Sequence, residues 1–289
     1  MPELPEVETV RRMLEQSVRG LTIRSVRLSG LRLRQAVDPA LPRTLRGHAV
    51  ESVGRRGKYL LIGLSGGLTL LSHLGMSGRW LVFRHGKPPA LEHVHARLRF
   101  TDGTSLWYQD VRRFGLLRWV PTDGLDRVPE LAGLGPDPFD AALDGARLRE
   151  RALGIRAAVK TFLMDQRRIA GLGNIYASEI LHRARVDPRR PAGSLDEAEW
   201  SRVASATRRV LEEAVSRMGT TFSSYRTIWD EPGEYGSLLR VYDRAGQRCR
   251  RCGAVIRRIV QGQRSTYYCP VCQPPRRRRG TRRSPGISG

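Results

Sequence analysis

The first apolar residues of the chain recur at the spacing of a helix, which gives one apolar face. Pro5 stands just ahead of them, and proline is tolerated in the first turn of a helix because an N–H there would have no partner. The pattern predicts a helix that begins within the first residues. Its apolar positions are Val7, Val10, Leu14 and Val18.

From about residue 21 to residue 120 the spacing changes to short runs of β-type residues. Gly66-Gly67 and Asp102-Gly103 supply hairpin turns between some of them. Many short strands joined by turns predict a β-sandwich or a barrel. The predicted strands are Leu21–Leu28, Tyr59–Leu64, Leu68–Leu74, Trp80–Phe83, Ala96–Phe100, Ser105–Gln109 and Leu116–Val120.

The second half of the chain returns to helical spacing. Pro121–Asp144 is rich in Pro, Gly and Asp and predicts a connector. A glycine turn, Gly171–Asn174, then enters a helix; its N–H groups could hold a phosphate, although such turns are also common without one. Trp200–Met218 predicts a further helix, and Phe222–Gly236 a loop. The helix after the glycine turn has its apolar positions at Ala177, Ile180, Leu181 and Ala184.

Length and composition indicate a globular protein with room for two apolar cores, since the chain has 289 residues of which 40% are hydrophobic. No apolar run approaches the length of a membrane span. The start of the chain lacks the pattern of a signal peptide. We therefore expect the protein in a reducing cytoplasm, without a membrane partner.

The charge is far from balanced. The formal net charge is +23, and the last fifty residues hold fourteen arginines against a single acidic residue, Asp243. A solvated face would intersperse both signs, and no long amphipathic basic helix suits a lipid surface. Nucleic acid is the predicted partner. From Pro274 onward the chain offers no apolar core and is predicted to be a disordered basic arm.

All four cysteines fall in one pattern of two Cys-x2-Cys pairs separated by sixteen residues. This spacing is typical of a structural Zn²⁺ site with four thiolate ligands. Disulfides or a redox pair are disfavoured by the reducing compartment and by the absence of a βαβ pattern. The intervening hairpin would direct Arg257, Arg258 and Arg264 toward phosphates. The predicted ligands are Cys249, Cys252, Cys269 and Cys272.

Removal of Met1 would leave Pro2 with a secondary amine at the chain end. An α-amino group is roughly a third unprotonated near pH 7.5, whereas a lysine is about 0.1% unprotonated, and only the free base attacks carbon. Glu3 and Glu6 could move protons beside it. A Met-Pro start often reflects processing alone, so these residues do not by themselves show that the amino end is a nucleophile.

Lysine is rare here, at three of fifty-one basic residues, namely Lys58, Lys87 and Lys160. A lysine can lose its proton when buried, whereas an arginine hardly does. A site that must transfer a proton would therefore favour one of these three.

Five further motifs stand beside the four-cysteine pattern. They are Met1-Pro2-Glu3-Leu4-Pro5-Glu6, Gly57-Lys58-Tyr59-Leu60, His73-Leu74-Gly75-Met76-Ser77-Gly78, Arg112-Arg113-Phe114-Gly115 and Gly173-Asn174-Ile175-Tyr176-Ala177-Ser178-Glu179. Taken together and in this order, the six motifs closely resemble the formamidopyrimidine-DNA glycosylase family over residues 1 to about 273. In the sister branch, endonuclease VIII, glycine usually follows the first Pro-Glu, whereas this chain has Leu4, which favours the branch that acts on oxidised purines.

The resemblance implies an α+β fold, with an N-terminal β-sandwich flanked by helices and a C-terminal helix-two-turns-helix domain that carries a zinc-finger β-hairpin. It also implies one structural zinc, double-stranded damaged DNA as the partner, and a monomer. The expected division is 1–135 for the catalytic sandwich, 136–150 for a linker, 151–238 for the helix-two-turns-helix domain, 239–275 for the zinc finger and 276–289 for the basic tail.

The resemblance also implies a reaction. Pro2 attacks the sugar C1′ of a damaged nucleotide and forms a Schiff base, and Glu3 helps to open the sugar ring. β-elimination, linked to Lys58, and δ-elimination, linked to Arg264, follow. Because arginine hardly releases protons, we expect Arg264 to bind phosphate charge. Glu6 joins this catalytic set.

The nucleotide must leave the base stack to be reached. By resemblance three wedge residues, Met76, Arg112 and Phe114, fill the vacated space, although an isolated Met or Phe is more often in a core. Residues 222–236 resemble the segment that closes over the base. His93 could equally be a satisfied polar residue at a strand edge. The remaining positions expected to contact DNA are His73, His93, Arg156, Lys160 and Asn174.

Departures from the family pattern are few. Val111 stands where proline is frequent, Asp243 where glycine is frequent, and the arginine tail has no counterpart. Two other functions stay open at this point: a catalytically inactive homologue that only binds DNA, and a zinc-ribbon protein of the transcription or translation machinery. The second leaves the first hundred residues unexplained.

Overall fold

Eight strands in the first 121 residues pair into two antiparallel sheets, in the orders β1-β6-β7-β5 and β2-β3-β4-β8. The structure is a computed structural model that describes residues 1–84, 88–221 and 225–275. The strands are β1 (Ile23–Leu28), β2 (Val50–Arg56), β3 (Tyr59–Leu64), β4 (Leu68–His73), β5 (Gly78–Phe83), β6 (Val94–Phe100), β7 (Ser105–Asp110) and β8 (Leu116–Pro121).

The two sheets share one apolar core, so the predicted sandwich is confirmed. Trp80 and Leu98 come from one sheet and Ile62 from the other. Two helices, α1 (Leu4–Val18) and α2 (Leu41–Leu45), close this core. The four apolar positions predicted for the first helix are all buried, and each such side chain contributes about 1.5–3 kcal/mol on burial.

Both predicted hairpin turns are present, between β3 and β4 and between β6 and β7. Gly66 and Gly67 have φ of 76° and 71°, in the left-handed region that glycine adopts without steric cost. Strand β2 was not predicted. Its sequence places polar or glycine residues at most positions, and only Val50 and Val53 are buried.

The second half of the described chain is mainly helical and has its own core, which includes Leu148, Phe162 and Trp200. The helices predicted after the glycine turn and around Trp200 are confirmed. The helices of this half are α3 (Pro129–Ala132), α4 (Gly145–Ala152), α5 (Val159–Met164), α6 (Asn174–Ala184) and α7 (Glu197–Ser216), with short 3₁₀ turns at Thr122–Arg127, Ala192–Ser194 and Tyr235–Leu238.

The stretch expected to be a linker, 136–150, is not irregular throughout, because residues 145–150 belong to α4. Leu148 on this helix is 1% exposed and packs in the helical core. The domain limits as such stay predictions.

The cysteines lie around a two-stranded antiparallel hairpin, β9 (Arg257–Gln261) and β10 (Arg264–Tyr268). Glu179 on α6 accepts three backbone hydrogen bonds of 2.8–2.9 Å from residues 240–242, so the chain entering the hairpin is fixed to α6. Among the described residues no helix has both the length and the apolar character needed to cross a membrane. Lys87, residues 222–224 of the predicted loop and the predicted tail at 276–289 lie outside the described residues.

Candidate active site

Charged groups from three separate parts of the chain surround its amino end. Burial lowers the pKa of the terminal ammonium; Glu3 and Glu6 raise it, and Lys58 and Arg264 lower it further. Pro2 is buried, whereas Met1 is 51% exposed. The structure thus brings the five residues expected to be catalytic to one region.

Glu3 lies against the first turn of α6. Its carboxylate accepts hydrogen bonds from the backbone N–H of Ile175 at 3.0 Å and of Tyr176 at 3.4 Å. The N-terminus of a helix stabilises negative charge at this position. A Cβ at position 173 would lie 2.4 Å from Glu3 Cδ, so a larger residue there would displace the Glu3 carboxylate. The N–H groups directly after the glycine turn, at the start of α6, therefore bind Glu3, whereas the sequence had suggested that the turn itself could hold a phosphate.

The same glycine turn touches the start of α1 and the tip of the β2–β3 hairpin. Gly171, at φ +91°, accepts a 3.0 Å hydrogen bond from the Leu4 N–H. A Cβ on Gly57 would lie 3.3 Å from Ala170 Cβ. Lys58 directly follows Gly57, so the close approach of Gly57 to Ala170 places the lysine beside the segment that binds Glu3.

Lys58 is a buried amine, 6% exposed. Burial lowers its pKa, while Glu3 and Glu6 raise it and Arg264 lowers it. A lowered pKa increases the fraction of the neutral amine, which is the form that can accept a proton.

Glu6 is a buried carboxyl group, 1% exposed, that joins three elements. It accepts hydrogen bonds from the Glu3 N–H at 2.8 Å, the Thr220 N–H at 2.7 Å and the Tyr176 hydroxyl. Burial, and then the charge of Glu3, raises its pKa to about 7. Glu6 therefore changes protonation in the physiological range.

Lys160 fastens the hairpin strand β10 to the start of α6. Its Nζ donates to Asn174 Oδ1, to the Ser265 carbonyl at 3.1 Å and to Thr266 Oγ1 at 2.7 Å. Asn174 Nδ2 also donates to the Ser265 carbonyl, at 3.0 Å. Arg264, next to Ser265, is exposed, and its positive charge lowers the pKa of both Lys160 and Lys58.

Lys160 itself is 1% exposed, and burial lowers its pKa to about 8. All three ammonium protons have acceptors within the protein, so the structure places this lysine in the interior. Its expected contact with DNA stays a prediction.

The four cysteine sulfurs lie within 4.8 Å of one another. Two of the separations are 3.9 Å, between Cys249 and Cys272, and 3.4 Å, between Cys252 and Cys269. Four sulfurs at about 2.3 Å from a tetrahedral Zn²⁺ are about 3.8 Å apart, so the thiols suit one structural zinc. His182 Nε2 on α6 is 3.6 Å from Cys249 Sγ, which ties the cluster to that helix.

The wedge residues lie on two adjoining loops, β4–β5 and β7–β8. Met76 is 37% and Phe114 48% exposed, so neither belongs to a core. The Arg112 guanidinium lies 4.8 Å from the Phe114 ring centroid. Gly75 has φ +61°, and a Cβ on it would lie 2.5 Å from the Phe114 carbonyl carbon. The two loops are thus in backbone contact.

His73, His93 and Arg156 occupy different settings. His73 ends β4 in the interior, where burial, Lys58 and Arg34 lower its pKa to about 4, so it is neutral at pH 7. His93 is exposed at φ +58°, just before β6. Arg156 is exposed between α4 and α5.

Sequence reasoning assigned no role to three buried residues that build the site: Asp110, Tyr176 and Glu179. Asp110 is 0% exposed and accepts from Ser77 and from the Gly115 N–H. The sequence offers one indication of their importance. Tyr176 and Glu179 lie within the Gly173–Glu179 motif, and Asp110 lies two residues before the Arg112–Gly115 motif.

Family models match three stretches of the chain. The N-terminal domain of formamidopyrimidine-DNA glycosylase matches residues 1–117, the H2TH domain of the same enzyme matches residues 134–226, and a zinc finger found in FPG and IleRS matches residues 246–275. The zinc predicted from the cysteine spacing is supported by both this match and the sulfur cluster.

Individual relatives agree. A formamidopyrimidine-DNA glycosylase of Methylococcus capsulatus is 47% identical over 94% of this chain and 100% of its own length, and one of Cereibacter sphaeroides is 45% identical with the same coverage. A Lactococcus lactis FPG variant in complex with Fapy-dG DNA superposes with a TM-score of 0.87 at 33% identity, covering 95% of this chain and 100% of that one. The resemblance of the motifs is confirmed, and the chain belongs to the formamidopyrimidine-DNA glycosylase family.

Proposed function

We propose that this chain is a bifunctional DNA glycosylase and AP lyase of base excision repair. It removes oxidised purines, 8-oxoguanine and formamidopyrimidines, from duplex DNA through Pro2 after loss of Met1. The observation that carries the proposal is the set of charges, Glu3, Lys58 and Arg264, that act on the amino end from separate segments. The names of the relatives support the substrate class.

In the first step the lone pair of the Pro2 nitrogen attacks C1′ of the damaged nucleotide. The glycosidic bond breaks, and its electrons leave with the base, which takes up a proton. Glu3 then protonates the ring oxygen as the C1′–O4′ bond breaks. The nitrogen, having lost its own proton, forms a C=N bond with C1′ as an iminium.

The iminium acidifies the C2′ proton, which Lys58 accepts. The C–H electrons form a C2′=C3′ bond, and the 3′ phosphate leaves. Loss of a second proton, from C4′, expels the 5′ phosphate in the same way, and water releases the remaining sugar fragment from Pro2. The exposed guanidinium of Arg264 binds the charge of the departing phosphate.

Extrusion of the nucleotide costs a few kcal/mol. Met76 and Phe114 supply apolar surface for the vacated stack, and Arg112 supplies a planar cation that hydrogen-bonds the base left behind. Their exposure, and the 4.8 Å stacking of Arg112 on Phe114, support this role. The other proposed DNA contacts are His73, His93, Arg156, Lys160 and Asn174.

One chain supplies all of these groups, which supports action as a monomer. Analytical ultracentrifugation with and without duplex tests this part of the proposal: a dimer that persists in the catalytic complex would contradict it.

The chemistry is tested by trapping. The processed protein is incubated with duplex DNA that contains 8-oxoguanine opposite cytosine, borohydride is added, and the adduct is mapped by mass spectrometry. We expect an adduct at Pro2. Protein that retains Met1 is the matched control, and it should bind the duplex without being trapped. Absence of an adduct from the processed chain would instead favour an inactive DNA-binding homologue.

A further inference from the structure

A buried carboxylate lies behind the wedge loops. Asp110, the last residue of β7, is 0% exposed. Its Oδ1 accepts from Ser77 Oγ at 2.6 Å, and its Oδ2 accepts from the Gly115 N–H at 2.8 Å. Because Ser77 follows Met76 and Gly115 follows Phe114, one carboxylate fastens both loops.

Backbone groups extend the same network. The Arg112 N–H donates to Ser77 Oγ at 3.0 Å, so the hydroxyl that donates to Asp110 also accepts from the third wedge residue. The Asp110 N–H donates to the His93 carbonyl at 2.9 Å. Arg112 and His93 therefore take part in this network themselves. Met76 and Phe114 are each joined to it through the next residue along the chain.

The loops have little room to shift. A Cβ on Gly115 would lie 1.7 Å from the Tyr108 hydroxyl, and that hydroxyl donates to the His73 carbonyl at 3.0 Å. Within the described part of the chain no cation pairs with Asp110. Its charge is compensated by the hydroxyl and the amide, which makes these bonds stronger and shorter than neutral ones.

We propose that Asp110 is a positioning residue for nucleotide extrusion, holding Met76, Arg112 and Phe114 at the spacing with which they enter the duplex. The inference rests on the proposed function. Asp110 acts through the wedge residues and touches neither the sugar nor the Pro2 amine. Its loss should therefore impair steps that require an intact base stack and spare elimination at a sugar that is already unstacked.

The test compares two reactions of Asp110→Asn, which keeps the shape but places an NH₂ group where an acceptor is needed. The first is single-turnover excision of 8-oxoguanine from a duplex; the second is cleavage of an abasic site in a single-stranded oligonucleotide. We expect the first rate to fall about tenfold or more and the second to change less than about twofold.

Asp102→Asn is the matched control. Asp102 accepts 2.9 Å hydrogen bonds from the Thr104 N–H and hydroxyl, so the same chemical change removes similar bonds at the opposite end of β7. Both of its rates should equal those of the wild type.

A uniform loss of both reactions in Asp110→Asn, or no loss in either, would overturn the positioning role. Ser77→Ala removes one of the two bonds to the carboxylate and keeps the test open if Asp110→Asn does not fold; it should show a smaller change with the same selectivity, and an equal loss of both rates would again overturn the proposal. Failure of the proposed function is distinguishable, because the wild type itself would then excise nothing.

Discussion

The carboxylate of Glu3 accepts a 3.0 Å hydrogen bond from the backbone N–H of Ile175, 172 residues further along the chain. This bond joins the amino end, where the nucleophile is proposed, to the start of α6. Because α6 also carries the residues that hold the zinc hairpin, the two halves of the site are positioned by the same helix.

Gly173→Ala tests this relationship. Its Cβ would lie 2.4 Å from Glu3 Cδ, so the carboxylate must move from the helix end. We expect excision under single-turnover conditions to fall by about 10²-fold, the order of a lost proton-transfer group, with DNA affinity retained. Gly133→Ala is the control, since its Cβ would meet nothing within 4 Å and its φ is −94°. Equal activity of the two variants would contradict the prediction.

Two variants can distinguish the positive charge of Lys58 from its role as a proton acceptor. Lys58→Gln removes both, whereas Lys58→Arg keeps a cation that hardly releases its proton. We expect both variants to lose about 10²- to 10⁴-fold in single-turnover processing of an 8-oxoguanine duplex. Quench-flow rates at saturating enzyme measure the effect. Rescue by arginine would mean that Lys58 supplies charge alone.

Glu6 should give the fold an unusual pH dependence. Burial raises its pKa from 4.5 to about 7, so between these values the folded chain keeps a proton that the unfolded chain has lost. The stabilisation is complete below pH 4.5 and is lost as the pH rises through about 7, amounting to about 3 kcal/mol. Urea unfolding at pH 5 and pH 8 measures it.

Glu6→Gln has no such titration, so its free energy of unfolding should change less between the two pH values. The exposed Glu51→Gln on β2 should keep the dependence of the wild type. A Glu6→Gln variant that also keeps it would show that another group is responsible.

Zinc removal should affect the hairpin more than the sandwich. Structural zinc contributes on the order of 10 kcal/mol to the folding of such a site, and the hairpin core is made largely of the cysteines themselves. We expect one zinc per chain and, after chelation, a large loss of DNA affinity by fluorescence anisotropy. Zn²⁺ should restore binding and Mg²⁺ should not. Full affinity without metal would contradict this prediction.

The arginine-rich end should act on affinity alone. Truncation after Pro275 removes six arginines, and each phosphate contact adds about 0.9 to the slope of log affinity against log salt. We expect a flatter slope and unchanged single-turnover rates at saturation. An unchanged slope would show that these arginines do not contact DNA.

Periodicity in the sequence predicted elements wherever a segment has one apolar face. The first helix and seven of the eight sandwich strands follow this rule, and β2 was missed because its polar and glycine positions outnumber Val50 and Val53. The cysteine spacing predicted the metal because four ligands of one type leave few alternatives.

Contacts between distant segments were not predictable in the same way. No local pattern indicates that Glu3 meets Ile175, or that the Lys160 ammonium is buried against Ser265 and Thr266. A lysine in a basic chain looks like a surface cation until its acceptors are known. Asp110 likewise gives no periodic signal, since its partners lie on two different loops.

The helix α6 also limits which changes in length the chain can tolerate. Asn174 holds the hairpin strand, Glu179 holds residues 240–242 and His182 contacts Cys249. Each residue of a helix adds about 1.5 Å and a rotation of about 100°. A single insertion or deletion between Asn174 and His182 would therefore turn one set of contacts away from the other, so this segment should resist the indels that surface loops accept.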